Sequence, residues 1–229
     1  MAKKVDEVLD QIEERLRFLK EIGAGFVSGP KAGRLSRPSL RAAREEILAI
    51  QEKILRCKKC ILSLERTHAV PGEGNFEAKL MFVGEGPGHD EDIQGKPFVG
   101  RAGQLLTKII QAMKFERDEV FITNVVKCRP PGNRTPHRDE INRCSPYLIR
   151  QIQLIQPRVI VSLGKVATDF FVPSATGMTG LRGQFYPWNE IQIMPTFHPS
   201  YLIRNEGNRE IRRMVWDDMQ KVMALFGKK

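Results

Sequence analysis

The chain has 229 residues, 41% of them hydrophobic, which is enough for one sizeable core with a short appendage. Lys and Arg outnumber Asp and Glu by 37 to 27, and a formal charge of +10 makes a polyanion such as nucleic acid the first candidate partner. No apolar run approaches the ~18 residues of a membrane-spanning helix, and the chain turns acidic at Asp6 before any hydrophobic segment develops, so neither a membrane role nor export is expected and the protein is read as cytoplasmic.

Val5, Val8, Leu9, Ile12, Leu16 and Leu19 follow helical spacing with charged residues between them, which predicts an amphipathic helix. Residues 23–40 are rich in Gly, Pro and Ser, and 31–44 carries five basic residues without an acid, so residues 1–40 read as a helix and a linker. Residues 41–229 then form one domain, expected to act as a monomer. A helix over 41–56 is followed by four short strand-like runs at 79–83, 120–123, 158–163 and 191–195, with helical segments at 102–113, 138–155 and 165–171. This alternation predicts a three-layer α/β/α fold around a central four-stranded parallel sheet. In such sheets ligands bind beyond the carboxyl ends of the strands, here just after Val83, Thr123, Leu163 and Pro195.

The first of these places reads Gly84-Glu85-Gly86-Pro87-Gly88, then Gly95-Lys96-Pro97-Phe98-Val99-Gly100. Glycines at a strand end let backbone N–H groups approach a ligand closely. A phosphate loop fits poorly, because the Gly-Lys-Ser/Thr ending is missing and Glu85, Asp90, Glu91 and Asp92 would repel phosphates. A neutral polar ligand fits better, and Phe98 is placed to stack on a planar one, an interaction worth roughly 1–3 kcal/mol for a base. After the second strand stands Asn124, whose amide complements the N3–H donor and O4 acceptor of uracil, whereas cytosine presents the reverse pattern. After the fourth comes His198-Pro199-Ser200, where the imidazole can donate to a carbonyl oxygen gaining charge, an effect of roughly 3–4 kcal/mol.

Cys57 and Cys60 form a Cys-x2-Cys pair, and Cys128 and Cys144 are isolated, with fifteen residues between them. Four thiolates suit zinc or an iron-sulfur cluster; one close pair with two isolated cysteines favours a 4Fe-4S cluster over a zinc ribbon, which usually shows two close pairs.

Together with Thr123-Asn124, Cys128-Arg129-Pro130-Pro131-Gly132-Asn133-Arg134 and His198-Pro199-Ser200, these strings resemble the family 4 uracil-DNA glycosylases over residues 45–226. The resemblance implies a DNA repair enzyme that cuts the glycosidic bond of deoxyuridine, releasing uracil and leaving an abasic site. It implies a uracil pocket of Gly84, Glu85, Gly86, Phe98, Asn124 and His198, and a 4Fe-4S cluster on Cys57, Cys60, Cys128 and Cys144. Where family 1 relatives carry a water-assisting aspartate this chain has Gly86, so Glu85 becomes the candidate for holding the water; Gly88 replaces the tyrosine that excludes thymine, and Glu91 is the candidate beside C5.

Flipping a base costs a few kcal/mol, so a wedge is expected from Tyr201, Leu202 or Ile203, with Arg204, Arg209, Arg212 and Arg213 for phosphates. Lys58 and Lys59 in the cysteine loop are further candidates for DNA contact. Two rival readings remain: a protein that traps uracil-DNA covalently through His137, and a non-catalytic, metal-containing DNA-binding module.

Overall fold

The computed structural model describes residues 39–228. The amphipathic helix and nearly all of the linker expected over residues 1–40 lie outside them. Helix α1 (Leu40–Leu55) begins where the Ser39 hydroxyl accepts from the Ala42 N–H at 3.2 Å, an N-cap that satisfies one of the free donors of the first turn. A short α2 (Leu62–Glu65) and strand β1 (Glu73–Gly74) lead into β2 (Leu80–Gly84), α3 (His89–Gln94), α4 (Arg101–Ala112) and β3 (Phe121–Asn124). A 3-10 turn at Pro131–Asn133 precedes α5 (Arg138–Ile155), β4 (Val159–Leu163), α6 (Lys165–Phe171), α7 (Met178–Leu181), β5 (Tyr186–Trp188), β6 (Ile191–Thr196), α8 (Pro199–Arg204) and α9 (Arg209–Leu225).

The four expected parallel strands are present and adjacent, in the order β3-β2-β4-β6, but the sheet is six-stranded. Antiparallel β1 borders β3, and antiparallel β5 borders β6. At two and three residues, these edge strands are too short to leave an alternating pattern, and Pro187 in β5 is tolerated because an edge strand has no partner on its outer side. They shield the outer hydrogen-bonding groups of the parallel core.

The inner strands are apolar on both faces because both faces are covered. Met81 and Val83 point into a core shared with Ile47, Ile50 and Ile54 of α1 and Leu148 and Ile152 of α5. Leu80 and Phe82 point the other way, toward Leu106 and Ile110 of α4 and Val215, Met219 and Val222 of α9. Helix α9 was not among the expected helices, yet its inward residues recur at helical spacing and complete this second layer. Among the described residues, no helix is long and apolar enough to cross a membrane.

Candidate active site

The carboxyl ends of all four parallel strands open into one cleft of about 720 Å³, within the range of small-ligand sites. Its walls are supplied by Glu85 and Gly86 after β2, Asn124 at the end of β3, Leu163 and Gly164 after β4, and Phe197 and His198 after β6. Phe98 lies between them, 6% exposed.

Phe98 reaches this position through a left-handed backbone, φ +51°, which is uncommon outside Gly and marks a conformation imposed by its surroundings. Gly103 in the first turn of α4 permits it: a Cβ there would lie 1.9 Å from the carbonyl carbon of Phe98. Gly84 serves the same end. A Cβ on Gly84 would come within 2.4 Å of Asn124 Oδ1 and 2.5 Å of Phe98 Cζ, so the missing side chain makes room for the ring and the amide together.

Asn124 is 1% exposed, and its Oδ1 has no hydrogen-bond partner. A buried amide oxygen left without a donor is costly. The backbone beneath it is held firmly: Val125 N–H donates to Gly84 O at 2.9 Å and Val126 N–H to Glu85 O at 3.1 Å, extending the β2–β3 ladder beyond the strand.

His198 is the N-cap of α8, with Pro199 in the first turn. Its Nδ1 accepts from the Ser200 N–H at 3.1 Å and lies 2.8 Å from the Ser200 hydroxyl. A backbone N–H can only donate, so Nδ1 is an acceptor and the proton of the neutral ring sits on Nε2, at the far edge. Burial, aided by the nearby Arg204 charge, pulls His198 down to about 4, so the ring is neutral at physiological pH. Its ring centroid lies 5.6 Å from that of Phe98.

The acids of the loop divide by use. Both oxygens of Glu91 are engaged, Oε2 by Gly88 N–H at 3.1 Å and Oε1 by Val99 and Gly100 N–H at 2.9 and 3.0 Å, binding the two halves of the loop together. Buried Asp92 accepts from the Thr67 and His68 N–H groups. Glu85 is different: its half-buried carboxyl lines the cleft, and desolvation alone pushes it above the ordinary carboxylate range.

The proposed wedge and contact residues are separated by burial. Leu202, named with Tyr201 and Ile203 as a wedge candidate, is 4% exposed and packs in the core beside α4. Tyr201, 37% exposed, lies over Phe197 with ring centroids 4.9 Å apart, and both it and exposed Arg204 line the cleft. His137 is exposed at the start of α5 and is not among the cleft-lining residues. Arg134 does line the cleft, fixed by a two-pronged bond to buried Glu140 at 2.7 and 2.8 Å.

The four cysteines gather on the side of α5 remote from α9, with Cys57 and Cys60 half-buried and Cys128 and Cys144 buried. They lie close enough for charge on one thiol to disfavour charge on another. Burial pushes Cys144 up to about 12. Arg66 donates to Cys128 Sγ at 2.8 Å and the Lys127 N–H to Cys144 Sγ at 3.2 Å, so two sulfurs already carry the donors that a ligating thiolate uses. Among the described residues, no three His, Cys, Asp or Glu side chains form a group that could hold a metal ion. Arg66 escaped the reading of the sequence, as did Ser200 as tautomer-setting partner and Glu91 as a brace; only the Ser200 spacing, two residues into a helix capped by His198, left a local signal.

Residues 71–220 match the family described as the uracil DNA glycosylase superfamily. The type-4 uracil-DNA glycosylase of Thermotoga maritima is 47% identical over 188 residues, covering 81% of this chain and 97% of that protein. The chain belongs to the type-4 uracil-DNA glycosylases. The type-4 protein of Sulfurisphaera tokodaii is 48% identical over 185 residues, 77% of this chain and 83% of that protein. A type-5 uracil-DNA glycosylase of Pyrobaculum aerophilum is more distant, 30% identical over 162 residues, 63% of this chain and 71% of that protein.

Proposed function

We propose that this enzyme excises uracil from DNA by receiving the flipped base in the cleft at the strand ends, with Phe98 stacking on it and Asn124 reading its edge. The observation that carries the reading is the buried, unpartnered Oδ1 of Asn124, set in one cleft with the Phe98 ring and a neutral histidine. The amide oxygen accepts from uracil N3–H and the amide NH2 donates to O4. The His198 Nε2–H donates to O2, whose negative charge grows as the C1′–N1 bond breaks; because the ring is neutral beforehand, it stabilises the leaving uracil anion as a preorganised donor. Water adds to the anomeric carbon from the opposite side and loses a proton, which through solvent neutralises the departing uracil anion, leaving an abasic site in an intact strand and no covalent enzyme intermediate. Glu85, without an ion-pair partner among the described residues and facing the cleft, orients that water together with the loop backbone.

Uracil-containing DNA, single- or double-stranded, is the partner. Exposed Arg204 and Tyr201 at the rim, and Lys58 and Lys59 beside the cysteines, are placed to meet its backbone. Lost pairing and stacking are least costly to replace where uracil is unpaired or opposite guanine. A cytoplasmic monomer within DNA repair is the setting this activity implies.

Cys57, Cys60, Cys128 and Cys144 would hold a 4Fe-4S cluster. The all-sulfur donor set and the N–H groups aimed at Cys128 and Cys144 fit such a group. When bound, it supplies a cross-link that ties the Cys57–Cys60 loop to the segment after β3 and to α5, a structural contribution.

The reading is tested with a uracil-containing oligonucleotide, incubated with the enzyme, treated with alkali and resolved on a denaturing gel. Cleavage at uracil is expected, with Asn124→Asp losing uracil release and acquiring activity on cytosine. An unchanged substrate profile in that variant would remove Asn124 from the recognition role. An adduct surviving denaturation in SDS would replace hydrolysis with covalent trapping.

A further inference from the structure

Among the described residues Lys127 is the largest fully buried polar side chain, 1% exposed, and nothing in the reaction described above uses it. Its Nζ donates to three acceptors: Thr123 Oγ1, the Asn124 carbonyl oxygen at 2.8 Å and Gln151 Oε1 at 2.9 Å. Two of these are tied onward to one point, because Thr123 Oγ1 and Gln151 Nε2 both donate to Pro71 O, at 3.1 and 2.9 Å. The lysine's own backbone is pinned as well. Its N–H donates to Cys144 Sγ and its carbonyl accepts from Val70 N–H at 2.7 Å.

Burying a lysine amino group is among the costlier choices a core can make, and an apolar side chain of the same length would fill the space without it. What an apolar residue cannot do is hold three buried acceptors at once. One of them is the carbonyl of the residue whose side-chain oxygen has no partner of its own. Since no hydrogen bond among the described residues fixes Oδ1 of Asn124, its aim follows from the backbone below it and from packing against Gly84 and Phe98. The β2 side of that backbone is held by the Val125 and Val126 N–H bonds; Lys127 holds the carbonyl.

We propose that Lys127 is a positioning residue for uracil recognition: clamped to Thr123, Gln151 and the segment bearing Cys144, it fixes the peptide plane of Asn124 and so aims the amide at the flipped base. This rests on the reading that Asn124 contacts the base. It acts on the base and not on the DNA backbone, so its loss separates the two.

The test uses full-length Lys127→Met, with iron per chain and the far-UV spectrum measured alongside activity. Inhibition by free uracil weakens by about tenfold, as for one lost recognition hydrogen bond, and kcat falls by about 100-fold, the effect of misplacing a reacting group by about 1 Å. Binding to an abasic-site oligonucleotide and KM stay close to wild type, because they depend on phosphate contacts. Thr123→Val, which removes one anchor of the Lys127 amino group at nearly constant volume, shows the same pattern more weakly, and Thr123→Ser, which keeps the hydroxyl, restores it. These two variants decide the matter if Lys127→Met does not fold.

Unchanged uracil inhibition in Lys127→Met, or a loss of activity that tracks loss of iron or of abasic-site binding, overturns the positioning role. Asn124→Ala is run in parallel. If it too leaves uracil inhibition unchanged, the recognition reading itself fails; if it weakens inhibition while Lys127→Met does not, only the positioning role fails.

Discussion

Gly84→Ala tests whether the ring and the amide share one tightly filled space. The added methyl carbon would sit 2.5 Å from Phe98 Cζ and 2.4 Å from Asn124 Oδ1, where ordinary contact begins at 3.4 Å, so each neighbour must retreat by about 1 Å or the strand must bend. Neither retreat is easy: Phe98 is held by a left-handed backbone against Gly103, and Asn124 lies in register with Gly84 in the β2–β3 ladder. Overpacking of this kind costs about 1–3 kcal/mol of stability. A shift of about 1 Å at a group that orients a substrate costs about 100-fold in rate. The expected outcome is therefore a folded protein, somewhat less stable to urea, whose single-turnover uracil release falls by about two orders of magnitude. Gly177→Ala is the control, since nothing lies within 4 Å of a Cβ there. A Gly84→Ala rate within about threefold of wild type, equivalent to less than 1 kcal/mol in the barrier, would refute the claim that Phe98 and Asn124 form a single rigid recognition surface.

The remaining predictions concern pH, the loop and the cysteines. If the Glu85 carboxylate orients water, uracil release falls as pH drops through a value above the ordinary carboxylate range, and Glu85→Gln removes that acid limb while lowering the plateau; His198, already neutral above about 4, does not produce it. Because the folded-state pKa of Glu85 is raised, its charged form weighs against folding at neutral pH, so Glu85→Gln stabilises there, and the gain vanishes below about 4.3, where the carboxyl is protonated in both states. A pH-stability series on both proteins measures this. Glu91→Ala leaves the Gly88, Val99 and Gly100 N–H groups without their acceptor, costs about 2 kcal/mol in denaturant unfolding and depresses uracil release; substantial thymine release with stability intact would instead assign Glu91 to base selection. Cys128→Ser and Cys144→Ser lose iron and visible absorbance and melt at lower temperature, whereas a colourless wild-type protein containing zinc would overturn the 4Fe-4S reading.

The sequence by itself determined the architecture of the central layer. Continuous apolar runs such as Leu80–Val83 and Val159–Val161 are what a strand covered on both faces requires, and their alternation with amphipathic helices left one arrangement of layers. It also marked where the cleft opens, because Gly84, Asn124 and His198 each end or follow a strand, and strand ends are where such sheets open.

Tertiary structure decided what depends on partners distant along the chain. Edge strands of two and three residues exist only through their neighbours in the sheet. Leu202 and Tyr201 are adjacent in a helix, and only the packing of that helix sends one into the core and leaves the other at the rim. The same holds for charge: Glu85 and Glu91 belong to one acidic stretch, yet folding brings the N–H groups of Val99 and Gly100 to Glu91 and leaves Glu85 facing the cleft. Lys127 looks like one more basic residue until Thr123, Asn124 and Gln151 close around it, since a lysine's role is set by what desolvates it and by which acceptors it meets.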